Sequence, residues 1–122
     1  MKRVVFCSGK VYFDLLEARR AKEITDVALI RIEQLYPFPA AEYAAALGRY
    51  PAANEVIWCQ EEPQNQGAWY QIRHQLQKPL RADQQLYYSG RPGAAAPAPG
   101  IFQLHLQQQQ ALVEAALSAQ PH

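Results

Sequence analysis

Val56-Ile-Trp-Cys-Gln-Glu-Glu-Pro-Gln-Asn-Gln-Gly-Ala-Trp69 is the stretch whose reading decides the fold. Val56 to Cys59 is a short apolar run rich in β-formers, the pattern of a buried strand. Two adjacent carboxylates, Glu61 and Glu62, follow, and Pro63 ends the strand pattern. Asn65 is placed to cap the next element, and Gly67 leaves room for close backbone approach. Behind it comes a helix pattern with Trp69, Ile72 and Leu76 on one face. Strand, polar turn, glycine and helix make one βα unit, and its functional edge is the carboxyl end of the strand.

Working outward, the same unit recurs. Residues 3–8 predict a first strand, turned by Gly9 into a helix over 10–22 with Val11, Leu15 and Ala18 inward. Thr25-Asp26 is a turn before a second strand over 27–32. Leu35-Tyr-Pro-Phe-Pro39 is a loop, and the Ala-rich helix after it is stopped by Tyr50-Pro51. Leu86-Tyr-Tyr-Ser89 predicts a short fourth strand. A Gly/Ala/Pro loop over 90–100 and a closing helix over 101–119 complete the chain. Gln107 to Gln110 fall inside that helix pattern and read as its solvated surface. Four alternations of strand and helix predict an α/β fold, a mostly parallel sheet of four to five strands covered on both faces.

The chain is 122 residues long, which bounds it to one domain, 1–122, with a single respectable core. Its formal net charge of +1 gives no electrostatic case for nucleic acid or an anionic membrane surface. The apolar runs are far too short to span a bilayer, and the N-terminal one is too short for a signal-peptide core. Cys7 and Cys59 each lie inside a predicted buried strand. Such positions favour packed, reduced thiols and a reducing compartment, and argue against a disulfide or metal pair.

In a doubly wound sheet, ligand groups gather at the carboxyl ends of strands beside a topological switch. The residues available there are Ser8, Gly9 and Lys10, then Gln60, Glu61 and Glu62. Paired carboxylates beside a lysine suit acid–base work. The favoured reading is blander: they cap helix starts and pair with Lys10 or Arg91. Together with Asn65, Gln66 and Gly67 they outline a structural or regulatory edge. Arg91 can clamp an anion or anchor the following loop, and the residues leave both open. Ser8-Gly9-Lys10 lacks the first glycine and the spacing of a phosphate loop. His74, His105 and His122 share no spacing that makes a metal site or a triad. The two Pro-rich loops, around Tyr36-Pro-Phe-Pro39 and over 90–100, suit contact with another protein surface better than open water.

Four stretches carry a resemblance: Val5-Phe-Cys-Ser-Gly-Lys-Val-Tyr-Phe-Asp-Leu-Leu16, Arg31-Ile-Glu-Gln-Leu-Tyr-Pro-Phe-Pro39, Trp58-Cys-Gln-Glu-Glu-Pro63 with Asn65-Gln-Gly-Ala-Trp69, and Tyr88-Ser-Gly-Arg-Pro92. In that order and over essentially the whole chain they resemble the C-terminal domain of 2-oxoglutarate dehydrogenases. The resemblance implies a three-layer α/β/α domain like the C-terminal domain of transketolases, with strands ordered two-one-three-four. It also implies a parent enzyme of the citric acid cycle that decarboxylates 2-oxoglutarate and passes succinyl groups to lipoyl carriers. The partners so implied are the preceding domains, a second subunit of a homodimer and the dihydrolipoyl succinyltransferase of the complex, in a bacterial cytosol. Thiamine diphosphate and magnesium are implied for the parent and placed outside this chain, since no Gly-Asp-Gly motif with a following Asn occurs in it. No catalytic, cofactor or metal residue is therefore assigned, and the fragment alone is expected to be inactive. Met1, directly before the first strand, reads as the artificial start of an excised domain. The alternative is a free-standing flavodoxin-like module that binds a small anion or nucleotide at the Ser8/Glu61/Arg91 edge.

Overall fold

The fold was taken from a computed structural model, which describes residues 1–91 and 102–118, with the side chains of 1–91 and 107–118. Eight elements alternate along the described residues: β1 (Arg3–Cys7), α1 (Val11–Ala21), β2 (Val27–Arg31), α2 (Ala40–Gly48), β3 (Glu55–Pro63), α3 (Trp69–Gln77), β4 (Gln85–Arg91) and α4 (Phe102–Leu117). The strands form one parallel sheet in the order β2-β1-β3-β4. β1 and β3 lie in the middle, and both read as apolar runs because helices cover both of their faces.

Side chains alternate along a strand, so odd and even positions feed different layers. Val4, Phe6, Val56 and Trp58 face one way and pack with Tyr43 and Ala46 of α2 and Ile72 and Leu76 of α3. Val5, Cys7, Ile57 and Cys59 face the other way, against Val11 and Leu15 of α1 and Leu112, Val113 and Ala116 of α4. This is the three-layer α/β/α arrangement, with α2 and α3 on one side and α1 and α4 on the other.

Two connections show why the chain turns where it does. Gly9 takes a left-handed φ of 82° between β1 and α1, a conformation open to glycine without steric cost. At the far end of α1, Glu23 adopts φ 54°, and its N–H bonds Arg20 O while that of Ile24 bonds Arg19 O. That is a Schellman end with a glutamate where glycine is usual.

The structure corrects one boundary that matters. β3 does not stop near Cys59: it runs on through Gln60, Glu61 and Glu62 to Pro63. β4 continues through Gly90 to Arg91 to pair with it, with a register shift between Gln60 and Pro63. The shift accommodates Pro63, which has no N–H to give a ladder. Glu61, Glu62, Gly90 and Arg91 are thus strand residues, where the sequence predicted turn and loop. The rest of the Gly/Ala/Pro loop, His105's side chain and His122 lie outside the described residues.

Candidate functional site

The carboxyl ends of β1, β3 and β4 bring most of the expected edge together, around two hubs that are both glutamines. The first is Gln60, 2% exposed, at the end of the buried part of β3. Its Oε1 accepts from Trp58 Nε1 at 2.8 Å and from the backbone N–H of Trp69 at 3.2 Å. Its Nε2 donates to Glu62 O at 3.1 Å and Pro63 O at 3.0 Å. Every donor and acceptor of this side chain is engaged, which fixes it inside the βα turn.

Gln60 takes the part expected of Asn65 and the carboxylates. α3 begins at Trp69 and has no side-chain cap from its own N-cap residue, Ala68. The helix-start N–H that a side chain does satisfy, that of Trp69, goes to Gln60. Asn65 and Gln66 are exposed, four and three residues before the first helical residue. Gly67 lies against the hub: a Cβ there would sit 2.5 Å from Gln60 Nε2 and 2.6 Å from Gln60 Cδ.

The second hub is Gln109 on α4. Its Nε2 donates to Asp14 Oδ2 on α1 and Glu61 Oε1 on β3, both at 2.9 Å. Its Oε1 accepts from Arg91 Nη2 at 2.8 Å. Arg91, 9% exposed at the end of β4, also donates from Nη1 to the backbone carbonyl of Glu61. One neutral amide on α4 therefore ties two carboxylates and a guanidinium from three other elements. Neither Glu62 nor Lys10 enters an ion pair among the described residues, and both are exposed, so the expected pairing of that carboxylate does not form. Ser8 is half-buried after the end of β1 and Lys10 is exposed at the N-cap of α1.

The sequence predicts Gln109 as solvated helix surface, and the structure places it half-buried among these partners instead. Its signal was positional: it precedes Leu112 and Val113 by three and four residues, the spacing of one helix face. Gln60 was noted as available, but its role depends on the strand continuing past Cys59.

Cys7 and Cys59 are register partners on β1 and β3, buried and free. Burial pushes the Cys7 thiol from 9.0 up to about 12, with Arg31 pulling slightly the other way. Burial raises Cys59 too, helped by the negative charges Cys7 and Glu61 would carry. Thiols held protonated are poor nucleophiles. Among the described residues no group of three His, Cys, Asp or Glu converges as metal ligands would, and no helix is long and apolar enough to cross a membrane. The arrangement does one thing well: it clamps four elements at the sheet's carboxyl edge.

Comparison with known proteins places this architecture. A family model described as 2-oxoglutarate dehydrogenase C-terminal matches residues 1–117. The chain belongs to that family. The 2-oxoglutarate dehydrogenase E1 component of Cupriavidus necator is 52% identical over 118 residues, covering 97% of this chain and 12% of the relative. That of Haemophilus influenzae is 55% identical over 118 residues, covering 97% and 13%. That of Coxiella burnetii is 56% identical over 117 residues, covering 94% and 12%. The chain thus spans about an eighth of the relatives it matches. Among solved structures, a split-gene transketolase, described as an inactive β4 tetramer, superposes with a TM-score of 0.69 at 13% identity, over 94% of this chain and 38% of that one. At that identity the likeness speaks for the fold alone, and it agrees with a transketolase-like α/β/α domain.

Proposed function

We propose that this chain is the C-terminal domain of a 2-oxoglutarate dehydrogenase E1 enzyme, and that it serves assembly there, outside the chemistry. The observation that carries the reading is identity above one half to three such enzymes over nearly the whole chain. The parent reaction is oxidative decarboxylation of 2-oxoglutarate with succinyl transfer to lipoyl groups of the dihydrolipoyl succinyltransferase, in the citric acid cycle of the bacterial cytosol. Thiamine diphosphate and magnesium belong to domains outside this chain. Among its described residues no three His, Cys, Asp or Glu converge as metal ligands would, and we assign none of them to either group.

The Ser8, Lys10, Glu61, Glu62, Asn65–Gly67 and Arg91 edge is, in this reading, structural. Support comes from Arg91 and Glu61 being committed to protein partners. The face offered to a neighbouring domain or second subunit includes Tyr36 and Tyr70, 57% and 48% exposed. Arg73 lies over the Tyr70 ring and Gln71 accepts the Tyr36 hydroxyl. Aromatic residues and arginine are the types enriched where protein interfaces carry their energy.

The test compares this chain with the full-length polypeptide of its reading frame, each given 2-oxoglutarate, thiamine diphosphate and magnesium. Carbon dioxide release is expected from the full-length protein alone. Release by the 122-residue chain would overturn the assembly role. Full-length protein inert toward 2-oxoglutarate but active on another 2-oxo acid would reassign the substrate.

A further inference from the structure

Cys7 and Cys59, the two cysteines of the chain, are far apart in sequence and side by side in the fold. They stand opposite each other in the register of β1 and β3, the central strands, and both point into the layer under α1 and α4. Each is a free thiol and 0% exposed. Cys7 Sγ donates to Ile30 O at 3.8 Å, a weak bond that goes when its proton does.

Two neighbouring thiols can be joined directly or through an ion, and spacing decides between the two. Register partners on adjacent parallel strands have Cα atoms roughly 4.8 Å apart, and their Cα–Cβ bonds point the same way, so the Cβ atoms keep that separation. A disulfide draws its Cβ atoms to about 3.8 Å. Closing the gap would pull β1 against β3, where the ladder is regular from Arg3↔Glu55 to Cys7↔Cys59. With both thiolates in the same staggered χ1 well, the sulphurs keep the strand spacing. An ion held in line between them, at about 2.3 Å from each, needs about 4.6 Å, which the ladder supplies without strain. The surroundings select the ion. Val11, Leu15, Leu112, Val113 and Ala116 pack with the pair. Among the described residues no third His, Cys, Asp or Glu joins them, so an ion that requires four ligands, such as zinc, is unsuited. Thiolates select soft ions, and two thiolates with a dipositive ion make a neutral unit, which an apolar layer tolerates far better than a net charge.

We infer that Cys7 and Cys59 form a binding site for one soft divalent ion of the mercuric kind, held by two thiolates in line and bridging β1 to β3. Binding breaks two S–H bonds, forms two sulphur–metal bonds and releases two protons to water, with no change of oxidation state. The site stands apart from the assembly role proposed above and does not depend on it.

The test is retention against a competing monothiol. The chain, which has no other cysteine, is refolded from urea with one equivalent of mercuric chloride and dialysed against millimolar glutathione. A single thiol gives the ion up, whereas a second sulphur already in place acts at high effective concentration and keeps it. Elemental analysis should find one mercury per wild-type chain and none in Cys7→Ala or Cys59→Ala. X-ray absorption should show two sulphurs at one distance, with the near-ultraviolet circular dichroism of the folded chain preserved. Loss of mercury from the wild type overturns the site, as does retention by either variant or one mercury shared between two chains. Retention with the folded-state spectrum lost puts the ion on an unfolded chain and overturns it too. Zinc held in the same way overturns the two-ligand geometry. Should the short chain not refold, the full-length polypeptide of its reading frame takes its place. Each variant must then retain one mercury fewer than the wild type, and equal numbers overturn the site.

Discussion

The side chain of Gln60 and the bare Cα of Gly67 are one design at the residue scale. The amide is the end of a long side chain, but four hydrogen bonds hold it in place, so it cannot swing away from a new methyl group. Gly67→Ala should therefore cost about 2 kcal/mol, a loss of several degrees in Tm by thermal circular dichroism. Gln60→Ala should itself destabilise by about 3 kcal/mol, since it strands Trp58 Nε1–H and the Trp69 N–H. In that background Gly67→Ala should cost almost nothing, because the clash is gone; fully additive losses would show that the two do not interact. Cys7 and the half-buried Tyr88 shape the expected loss of stability at alkaline pH. Burial raises the folded-state pKa of Cys7 and of Tyr88 to about 12, from 9.0 and 10.0. A raised value means that the folded protein holds its proton more tightly than the unfolded one. The stability so gained is complete below pH 9.0 and is lost as pH rises toward about 12. Urea midpoints should fall across that window, and Tyr88→Phe should make the fall shallower.

Among the elements, α4 hangs from polar contacts at its middle and its C-terminal end. At its middle Gln109 bonds Asp14, Glu61 and Arg91, and at its end Arg3 Nη1 donates to Ala116 O at 3.0 Å and Ala115 O at 3.4 Å. Arg3 is buried, and its Nε and Nη2 both reach Glu55 Oε1 at 3.2 Å. A cation on a helix's last carbonyls satisfies them and opposes the helix dipole. Arg3→Ala should cost about 3 kcal/mol by leaving Glu55 and these carbonyls unpaired, and α4 amides should lose protection before those of β1 and β3. The end of α1 offers the opposite sign: Glu23→Gly relieves a left-handed glutamate and should raise stability by about 1 kcal/mol in a denaturant titration. The alternation of elements and the two faces of each helix were legible because burial imposes periods of 2 and 3.6 on a sequence. The polar hubs were not. Gln60 caps a helix nine residues away and Gln109 reaches residues far along the chain, and glutamine looks the same whether solvated or buried. Asn65 beside a predicted helix start, by contrast, carried a strong local signal that the long-range bond from Gln60 replaced.

For the whole molecule, the Tyr36-Pro-Phe-Pro39 loop divides between two uses. Phe38 turns inward, its ring 5.6 Å from that of Tyr43, so it belongs to the core rather than to the outer surface expected of it. Tyr36 stays outside. Tyr36→Ala with Tyr70→Ala should weaken subunit association of the full-length enzyme in sedimentation while barely moving the melting temperature of this chain; unchanged association would place the interface elsewhere. The sheet order also sets a timetable during synthesis. β1 is made first but flanked by β2 and β3, and the layer holding Cys7 and Cys59 closes only when Leu112, Val113 and Ala116 arrive on α4. Until then the α4 side of that layer is uncovered, and both thiols are expected to react with alkylating agents that their burial in the finished domain excludes. Ribosome-bound chains halted before α4 should take up a maleimide label at both cysteines, and chains released after it should take up none.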